Sequence, residues 1–595
     1  MAQAASPTKA PTAVELGFTL RSIITGMAFG GGLSLCNVYL GLKIGWGMNM
    51  SITAALLGFG FWAAAGTVAR VRPFTVLENN LNQTAASAGA AISSAGLVAP
   101  IPALTLLTGT VLTWPQLTVW VLSVGLVGVV AGMGVRKQLI VDGGLAFPGG
   151  TATGETLKEM YAKGAEALAR VKMLVLGGGF GALSKLGGLV FQPAHLKLPV
   201  TLASGKVSTG YTLANLTFSL EPSLLMVATG GIIGLRATLS MLLGSILAWG
   251  LLVPHGVETG WITPGPTDPG KGWFTQGVHW LLWPGATLMV VGSLTSFAFS
   301  APAILRGLTG LRGAAPPADD PTDVNRRQFW TALLVVLLAS SAAQILLFDI
   351  KPWLAVLGVL LSFILAIVAG RVSGETGVTP VGAMGKVTQL TFGVLDPSNV
   401  ASNLMSANVT GGAASQCGDL LHDLKTGFML GSWPRHQYVA QAFGVVGGAL
   451  VGSAAYLVLL PDPKAQLFTD DWAAPAVATW KAVAEVFQQG ISAMPTMALE
   501  AMAIAAVAGV VLAVLEKTVP KDFRVWVPSP ASLGLAFTVQ AYTVLAFLIG
   551  ASVMALGQKF APSWTARFGI VVCAGVIAGE SLIGVGDAFL KMFGG

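Results

Sequence analysis

The sequence predicts an all-α, polytopic integral membrane protein, and three observations support that fold class. Of 595 residues, 54% are apolar and only 10% are charged, and the mean hydropathy is +0.73. Soluble domains carry about 25% charged residues, so this chain lacks the charged surface that solubility requires. Apolar runs of about 18–25 residues, long enough for a helix to cross a bilayer, recur along the chain. The 76 glycines suit helices that pack closely within lipid.

About 13 runs are long and apolar enough to span a membrane. They begin near Phe18, Met50, Gln116, Val171, Leu224, Ala237, Val278, Phe329, Trp353, Tyr438, Thr496, Ser532 and Ala566. Four further segments are rich in small residues but too polar for a helix that faces lipid, and Gly or Pro interrupts each of them. These segments are Glu78–Gly96, Gly143–Met160, Pro380–Leu395 and Asn399–Lys425. Broken segments occur at membrane depth only where protein buries them or a wet cavity borders them, so they indicate a binding site.

A long polar stretch divides the chain into an N-terminal membrane half, residues 1–305, and a C-terminal membrane half, residues 328–595. The linker between them, residues 306–327, contains four arginines: Arg306, Arg312, Arg326 and Arg327. Basic loops are retained on the cytoplasmic side of a membrane. The linker is therefore predicted to be cytoplasmic.

Other loops follow the same charge rule. Val135–Lys172 and the loop around Lys517 are basic and are predicted to be cytoplasmic. Pro254–Gln276 and Pro461–Pro475 each contain one lysine and no arginine, and both are predicted to be external. This pattern predicts a multi-pass protein of a bacterial-type cell inner membrane.

A short internal repeat relates the two halves. Asn80-Leu81 is followed by Gly89-Ala90-Ala91, and Asn403-Leu404 is followed at the same spacing by Gly412-Ala413-Ala414. Each copy lies in a polar, interrupted segment, with one copy on each side of the linker. Paired interrupted segments are typical of membrane proteins built from repeats, so internal repeats in two halves are expected.

Several classes of function lack their sequence signatures. The net charge of +7 comes from basic residues in short loops, where they set topology, so no nucleic-acid partner is predicted. The three cysteines form no CxxC pair, which predicts neither a disulfide framework nor a metal site. Neither a GxxxxGKS/T phosphate loop nor an HExxH motif occurs. No cofactor is expected, and an enzyme is not the predicted class.

The segment that begins at Glu78 offers the first candidate binding residues. Asn79 lies four residues before Gln83 and Asn80 three before it, so the amides are neighbours on one side of a helix. Each amide offers a donor and an acceptor to a substrate. Glu78 is a candidate for binding a proton or a substrate amine. The alternative is an interfacial carboxylate that pairs with an arginine of the preceding loop.

A second polar group lies in the sequence GDLLHDLKTG. Asp419, His422 and Asp423 are spaced i, i+3 and i+4, which places them on one helical face. Such a set can relay a proton because histidine titrates near neutral pH, so all three are proton-coupling candidates. No second His or Cys cluster completes a metal site, and no metal is predicted. The alternative is a cytoplasmic helix end, with Lys425 and Arg435 as inside-facing charge.

The segment Phe147–Glu155, FPGGTATGE, predicts the start of a half-helix. Thr151 or Thr153 would cap it, and its first amides would face an anion such as a carboxylate. Both threonines are candidate binding residues, and Glu155 is a proton-coupling candidate. A plain transition from loop to helix is the alternative.

The remaining candidates lie in the second half. Asn403, Asn408 and Gln416 offer further amides within the polar segment that precedes Asp419. Glu580 lies in AGESLIGVGD at the end of an apolar run. It is either a coupling site or an interfacial cap.

Several segments of the chain together form a specific pattern. They read PFTVLENNLNQTAASAG, LAFPGGTATGETL, PVGAMGKVTQLTFG followed by GDLLHDLKTGFML, RVWVPSPASLGLAF and VIAGESLIGVG. In this order they resemble the oligopeptide transporter family, including its yellow-stripe-like branch, although Gly149 stands where the family commonly has serine. The resemblance implies about sixteen membrane segments built from repeated units. It also implies symport driven by a proton gradient, with small peptides or metal complexes of peptide-like chelators as substrates.

On this basis the sequence predicts a proton-coupled symporter that imports small oligopeptides or peptide-like metal chelates, with protons and the lipid bilayer as further partners. The expected cavity is lined by Glu78–Thr84, Phe147–Glu155 and Asn399–Asp423. One of four carboxylates takes up the proton on the outer side: Glu78, Glu155, Asp419 or Asp423. The alternatives are another amphoteric solute, a passive facilitator or channel, and a membrane-embedded enzyme. Glycine-rich helix faces leave a homo-oligomer open.

Overall fold

The structure is a computed structural model that describes most of the chain. The described residues are 17–45, 47–191, 196–197, 201–202, 211–220, 223–266, 268, 271–299, 301–302, 305, 320–490, 494–524 and 526–593. Within these ranges, 12 helices are long and apolar enough to cross a membrane. The protein is therefore an all-α multi-pass membrane protein.

The first half of the chain folds almost entirely into helices. They are Leu20–Ile44, Ser51–Ala69, Val76–Ala90, Pro100–Thr108, Trp114–Arg136, Pro148–Ala162, Gly164–Phe191, Leu224–Ile233, Leu235–Ser245, Val253–Thr259 and Phe274–Ala298. A 3₁₀ turn follows the third, and π-helical turns continue two others: Ala91–Ala95, Lys137–Asp142 and Ile246–Leu252. Four two-residue strands form two small antiparallel pairs: Leu196–Lys197 with Ser219–Leu220, and Thr201–Leu202 with Tyr211–Thr212.

The second half is also helical. Its helices are Arg326–Phe348, Pro352–Thr376, Val381–Leu395, Val400–Leu430, Pro434–Leu459, Pro463–Gln466, Pro475–Gln489, Ala498–Thr518, Lys521–Arg524, Pro530–Leu535, Ala541–Phe560, Pro562–Trp564 and Ile570–Phe593, with a π-helical turn at Thr565–Gly569. Four helices recur below under names. The first helix is Leu20–Ile44, the amide helix Val76–Ala90, the lysine helix Val381–Leu395 and the central helix Val400–Leu430.

The predicted number of about 13 spans is one too high for the described residues. The run near Leu224 forms only the ten-residue helix Leu224–Ile233, because Gly234 adopts a φ of 90° and the chain turns there. Ten residues rise about 15 Å, half of a hydrocarbon core. The run near Ser532 is also shorter than predicted, since the membrane helix begins only at Ala541.

Three of the four predicted polar segments are short helices, but the fourth is not interrupted. The central helix runs for 31 residues without a break. The glycines inside this helix do not interrupt it. They lie at contacts with neighbouring side chains. A Cβ on Gly411 would contact the Trp480 ring at 3.7 Å, and Gly418 faces Thr379. Only Gly431, with a φ of 77°, ends the helix.

The central helix is the core of the fold. It is buried over most of its length, and it packs against the helices Trp114–Arg136, Pro352–Thr376 and Pro148–Ala162, as well as against the lysine helix. The amide helix lies beside it and packs against the first helix and Pro434–Leu459. These contacts bring the other three predicted polar segments against the central helix.

Close helix contacts account for the glycine-rich faces that left oligomerisation open. Gly26 and Gly30 of the first helix lie against the backbone of the amide helix, and a Cβ on Gly30 would come within 3.1 Å of the Ala85 carbonyl oxygen. Gly444 and Gly448 contact the amide helix from its other side. These faces therefore serve packing within one chain.

The two copies of the predicted repeat adopt different structures. In the first copy the amide helix ends at Ala90 and a 3₁₀ turn follows. In the second copy Gly412-Ala413-Ala414 lies in the middle of the continuous central helix. The repeats and the number of sixteen segments stay predictions.

Loop contacts agree with the predicted sidedness. The Thr275 hydroxyl donates to the Phe468 carbonyl at 3.1 Å, which joins the two loops predicted to be external. Arg136 forms a 3.1 Å ion pair with Asp323, so a loop predicted to be cytoplasmic contacts the linker. Residues 306–319 of that linker lie outside the described residues.

Candidate functional site

A polar cavity of about 300 Å³ lies where the predicted polar segments meet. Its walls come from the end of the first helix, the segment before Ser51, the end of the amide helix, the turn after Thr376 and the central helix. The lining residues are Asn37, Gly47, Met48, Asn49, Met50, Ser87, Ala91, Ser93, Gly377, Val378, Thr379, Ser415, Asp419 and His422. We call this space the polar cavity.

Asn37 holds one wall of the polar cavity in place. Gly45, with a φ of 92°, ends the first helix, and the chain continues without helical structure through residues 47–50. The Asn37 side-chain oxygen accepts from the Met48 N–H at 3.0 Å, and its amide nitrogen donates to the carbonyls of Met48 and Ala90, both at 3.0 Å. One amide thus satisfies backbone groups that the broken helices leave open.

The opposite wall forms where a second membrane helix ends. Gly377, with a φ of 81°, ends the helix Pro352–Thr376 beside the cavity. The hydroxyls of Ser373 and Thr379 lie 2.9 Å apart and span this turn. Both walls therefore consist of helix ends, where polar backbone groups are available at membrane depth.

His422 joins this wall to the helix Pro148–Ala162. Its Nδ1 accepts from the Gly150 N–H at 3.1 Å, and its Nε2 lies 3.0 Å from the Ser373 hydroxyl. Because Nδ1 accepts, the neutral ring carries its proton on Nε2, a tautomer assigned from the hydrogen-bond geometry. Both nitrogens are occupied, so His422 positions a helix start, and a proton relay through it requires one of these bonds to open.

The two aspartates of the predicted triad have different surroundings. Asp419 lines the polar cavity and has no hydrogen-bond or ion-pair partner in the described part of the chain. Asp423 lies one turn further on, is 1% exposed, and accepts from the Gln83 amide and, at 3.4 Å, from the Ser51 hydroxyl. Its second oxygen has no partner among the described residues. The predicted grouping on one face is thus present.

The amides at the start of the amide helix lie behind the cavity wall. Asn79 donates to the Ala55 carbonyl at 3.1 Å. Asn80 is fully buried, and neither of its amide atoms has a partner in the described structure. Gln83 is bound to Asp423 and keeps an unpaired oxygen. None of these three amides borders the polar cavity, and of the three only Gln83 contacts Asp423.

Glu78 pairs with arginines, which is the alternative that the sequence left open for this residue. Its carboxylate forms ion pairs with Arg21 and Arg72, each at 2.7 Å, and also accepts from the Thr19 hydroxyl and the Thr75 N–H. Arg72 was foreseen from the neighbouring loop, whereas Arg21 lies 57 residues away. Glu78 is therefore a fully paired carboxylate, which does not fit a proton-coupling role.

The predicted cap of the helix Pro148–Ala162 is wrong. Phe147 is the N-cap residue, in a left-handed conformation with a φ of 42°, and its side chain makes no capping hydrogen bond, so that in the first turn the Gly150 N–H is bound by His422 and not by a threonine. The hydroxyl of Thr151 donates to the Ala146 carbonyl at 2.6 Å, and that of Thr153 to the Gly149 carbonyl at 2.9 Å. Both bonds run back along the chain, because threonine within a helix readily bonds to a preceding carbonyl.

Two predicted coupling residues lie away from the polar cavity. Glu155 is exposed on the outer face of its helix. Glu580 accepts from the Ser223 hydroxyl at 2.8 Å and from the Leu225 N–H at 2.7 Å. Its carboxylate thus caps the helix Leu224–Ile233, which matches the predicted alternative of a cap.

The three amides predicted in the second half hold helices together. Asn403 and Gln389 form a pair in which the Gln389 amide donates to Asn403 at 3.0 Å. Asn408 accepts from the Trp120 indole at 2.8 Å. Gln416 donates to a backbone carbonyl of the amide helix at 3.1 Å. None of these three predicted residues borders the polar cavity.

The sequence analysis did not identify Asn37 and Asn49 in the cavity wall, because they lie in an apolar run and in a loop; Ser93 lies in the predicted polar segment Glu78–Gly96 but was not singled out. It also missed Lys386, although this residue lies in one of the segments that carry the resemblance. A lysine at membrane depth is itself a signal of function. Lys386 lines a second space of about 690 Å³, the lysine cavity, which shares Val378 with the polar cavity.

Comparison with known proteins places the whole chain among transporters. The family model described as OPT oligopeptide transporter protein matches residues 17–591. A Saccharomyces cerevisiae protein named as an oligopeptide transporter is 25% identical, over 95% of this chain and 95% of the relative. A Haemophilus influenzae protein with the same name is 26% identical, over 93% and 92%. A metal-nicotianamine transporter of Arabidopsis thaliana is 24% identical, over 95% and 92%.

Proposed function

The chain belongs to the oligopeptide transporter family, and from that premise we propose that it is a proton-coupled symporter of the cell inner membrane. It imports small peptides or peptide-like metal chelates through the polar cavity. Relatives carry the names of both oligopeptide and metal-nicotianamine transporters. Both kinds of substrate are amphoteric, with amino, carboxylate and amide groups. A polar cavity with a carboxylate and several amides suits such solutes.

The pair Asp419 and Asp423 is the observation that supports proton coupling. The two carboxylates lie four residues apart on a buried helix, where like charges repel. Neither forms an ion pair with a cation in the described residues. A proton bound by one carboxylate removes this repulsion. It also lowers the cost of carrying the pair past apolar surroundings while the protein changes conformation.

The broken helices around the cavity supply places where the chain can bend. The first helix and Pro352–Thr376 both end at glycines with positive φ. Gly377 borders the polar cavity, and Gly45 borders the neighbouring lysine cavity. The central helix between them is continuous. We infer that these ends move against the central helix during alternating access, as hinge motions use a few residues at element ends.

In the proposed cycle Asp423 takes up a proton from the outer side, and Asp419 stays charged. The substrate then enters the polar cavity, where its amino group lies beside Asp419. The loaded and protonated state opens to the cytoplasm, because the carboxylate pair carries less charge. Release of the proton and the substrate to the cytoplasm leaves the empty protein, which then returns to the outward-open state.

The test is uptake into proteoliposomes that contain the full chain and carry an inward proton gradient. Trialanine and iron–nicotianamine are offered separately. Accumulation of either above its outside concentration, abolished by a protonophore, is the expected result. Flux that only equilibrates the probe would identify a passive facilitator and contradict symport. Chemical alteration of either probe without a gradient would instead identify an enzyme.

A further inference from the structure

Lys386 is a buried lysine with no carboxylate partner among the described residues. It lies on the lysine helix, is 3% exposed and borders the lysine cavity. Its ammonium donates to the Gln389 side-chain oxygen at 2.7 Å and to the Thr479 carbonyl at 3.4 Å. No ion pair with a carboxylate is present in the described ranges. A buried charge that meets only neutral dipoles is costly, so its retention calls for a ligand or a role.

The surroundings of Lys386 are built to hold the ammonium in place. The Trp480 ring lies 4.3 Å from it, face on. Gly385 permits this approach, since a Cβ there would lie 2.7 Å from the same ring. The aromatic face attracts the cation without neutralising it. The charge therefore remains available to an anion in the cavity.

Gln389 is itself fixed by its neighbours. Its amide nitrogen donates to the Asn403 side chain at 3.0 Å and to the Trp480 carbonyl at 3.2 Å. Asn403 in turn donates to the backbone carbonyl of Gln389 at 2.7 Å. Because both amide hydrogens are used, the Gln389 oxygen must face Lys386. This network fixes the Lys386 amino group beside the lysine cavity, and it gives a structural role to Asn403, which borders neither the polar cavity nor the lysine cavity.

We propose that Lys386 binds a free carboxylate of the transported substrate. This inference rests on the proposed function and adds an anion-binding residue to it. Val378 lines both the lysine cavity and the polar cavity, so the two spaces are neighbours, and the proposal requires that an elongated solute extends past Val378 from Asp419 to Lys386. Such a solute brings its amino group to the carboxylate and its carboxylate to the ammonium. Both charges gain a partner only when an amphoteric solute is bound.

Two solutes carry the required carboxylate: a peptide with a free C-terminus and a metal complex of an amino-acid-like chelator. The experiment separates them with two probes. The peptide pair is trialanine and trialanine C-terminal amide, which differ only in the charge. The chelate probe is iron–nicotianamine, whose chelator carries carboxylates.

Lys386→Met is the informative variant, because methionine keeps the length of the side chain and removes the charge. Lys481→Met is the matched control, since Lys481 lies on the helix that also carries Trp480 but is paired with Glu485 at 2.6 Å. Thermal unfolding of both purified variants reports on folding. Loss of the donor to the buried Gln389 oxygen is expected to make Lys386→Met less stable than the native protein, so uptake is compared per amount of folded protein.

Initial uptake rates are then compared in proteoliposomes. The native protein and Lys481→Met are expected to favour trialanine over its amide by about tenfold or more, and Lys386→Met to bring this ratio close to one. If the chelate supplies the carboxylate, Lys386→Met instead lowers iron–nicotianamine uptake about tenfold relative to Lys481→Met. An effect with either probe supports the proposal, and the probe affected shows whether the peptide or the chelate supplies the carboxylate.

Two negative outcomes have different meanings. If the native protein accumulates a probe and Lys386→Met leaves both the acid-to-amide ratio and chelate uptake unchanged, the anion site is wrong and the symporter proposal stands. If the native protein accumulates neither probe, the symporter proposal fails and the Lys386 proposal fails with it.

Discussion

Glu78 and Asp423 are both buried acidic residues in polar segments, yet their surroundings are opposite. Glu78 is held by two arginines, a hydroxyl and a backbone N–H. Asp423 receives only an amide and a hydroxyl, and one of its oxygens has no partner in the described structure. The first arrangement stabilises a permanent charge. The second does not neutralise the charge, and it therefore suits a carboxylate that exchanges a proton.

The largest expected effect is on coupling and comes from Asp423→Asn. The amide cannot take up and release a proton, so accumulation of the transported probe is expected to fall to simple equilibration. Uptake into proteoliposomes with an imposed proton gradient measures it. Glu155→Gln, the same type of change at an exposed carboxylate, is expected to behave like the native protein. A variant Asp423→Asn whose uptake keeps its full dependence on external pH would exclude this residue as the coupling site.

The next effect is on stability and comes from Glu78→Gln. Loss of the carboxylate leaves two guanidinium groups without their partner, which costs up to about 3–5 kcal/mol in a fully buried pair. Arg21 and Arg72 are 17% and 40% exposed, so solvent lowers the expected loss to about 2–3 kcal/mol. Thermal unfolding in detergent measures it. The protein that remains folded should keep its coupling of uptake to the proton gradient. If Glu78→Gln instead lost coupling and kept native stability, Glu78 and not Asp423 would be the carboxylate that exchanges a proton.

A smaller effect distinguishes positioning from proton relay at His422. His422→Ala leaves the buried Gly150 N–H without an acceptor, which costs about 1–3 kcal/mol and should slow uptake. His422→Asn places an oxygen near the position of Nδ1 and is expected to restore stability and coupled uptake within about threefold. Accumulation assays on both variants provide the measurement. Complete loss of coupling in the asparagine variant would show that the imidazole itself carries the proton.

The smallest effect is expected at Glu580. In Glu580→Gln the side chain keeps one acceptor oxygen but loses the second, so the cap of the helix Leu224–Ile233 weakens by about 1 kcal/mol. Thermal unfolding should show this shift, with the accumulation ratio unaltered. If the accumulation ratio fell and the stability did not change, Glu580 would be a coupling residue and not a helix cap.

The membrane fold was predictable because span length and apolar composition are properties of local sequence. The helical spacing of Asp419, His422 and Asp423 likewise fixes their shared face within one element. The polar segments were found for the same reason, since small and amide residues contrast with the surrounding apolar runs. These predictions depend on residues close together in the chain.

The remaining features depend on contacts between distant segments. The pairing of Glu78 with Arg21, and the cavity wall held by Asn37, join elements that no spacing rule connects. The continuity of the central helix depends on which neighbours its glycines face, because the same residues end helices elsewhere in the chain. Lys386 was visible as a charge at membrane depth, but only the structure reveals that no carboxylate of the described residues pairs with it.

Substrate and proton are proposed to move together through the carboxylate pair of the central helix. The most direct measurement is proton uptake during substrate entry, followed with a pH-sensitive dye outside proteoliposomes that hold no initial proton gradient. Addition of the transported probe should make the outside medium more alkaline with the native protein and with Glu78→Gln, but not with Asp423→Asn. Substrate entry without proton uptake by the native protein, or equal proton uptake by Asp423→Asn, would contradict the account.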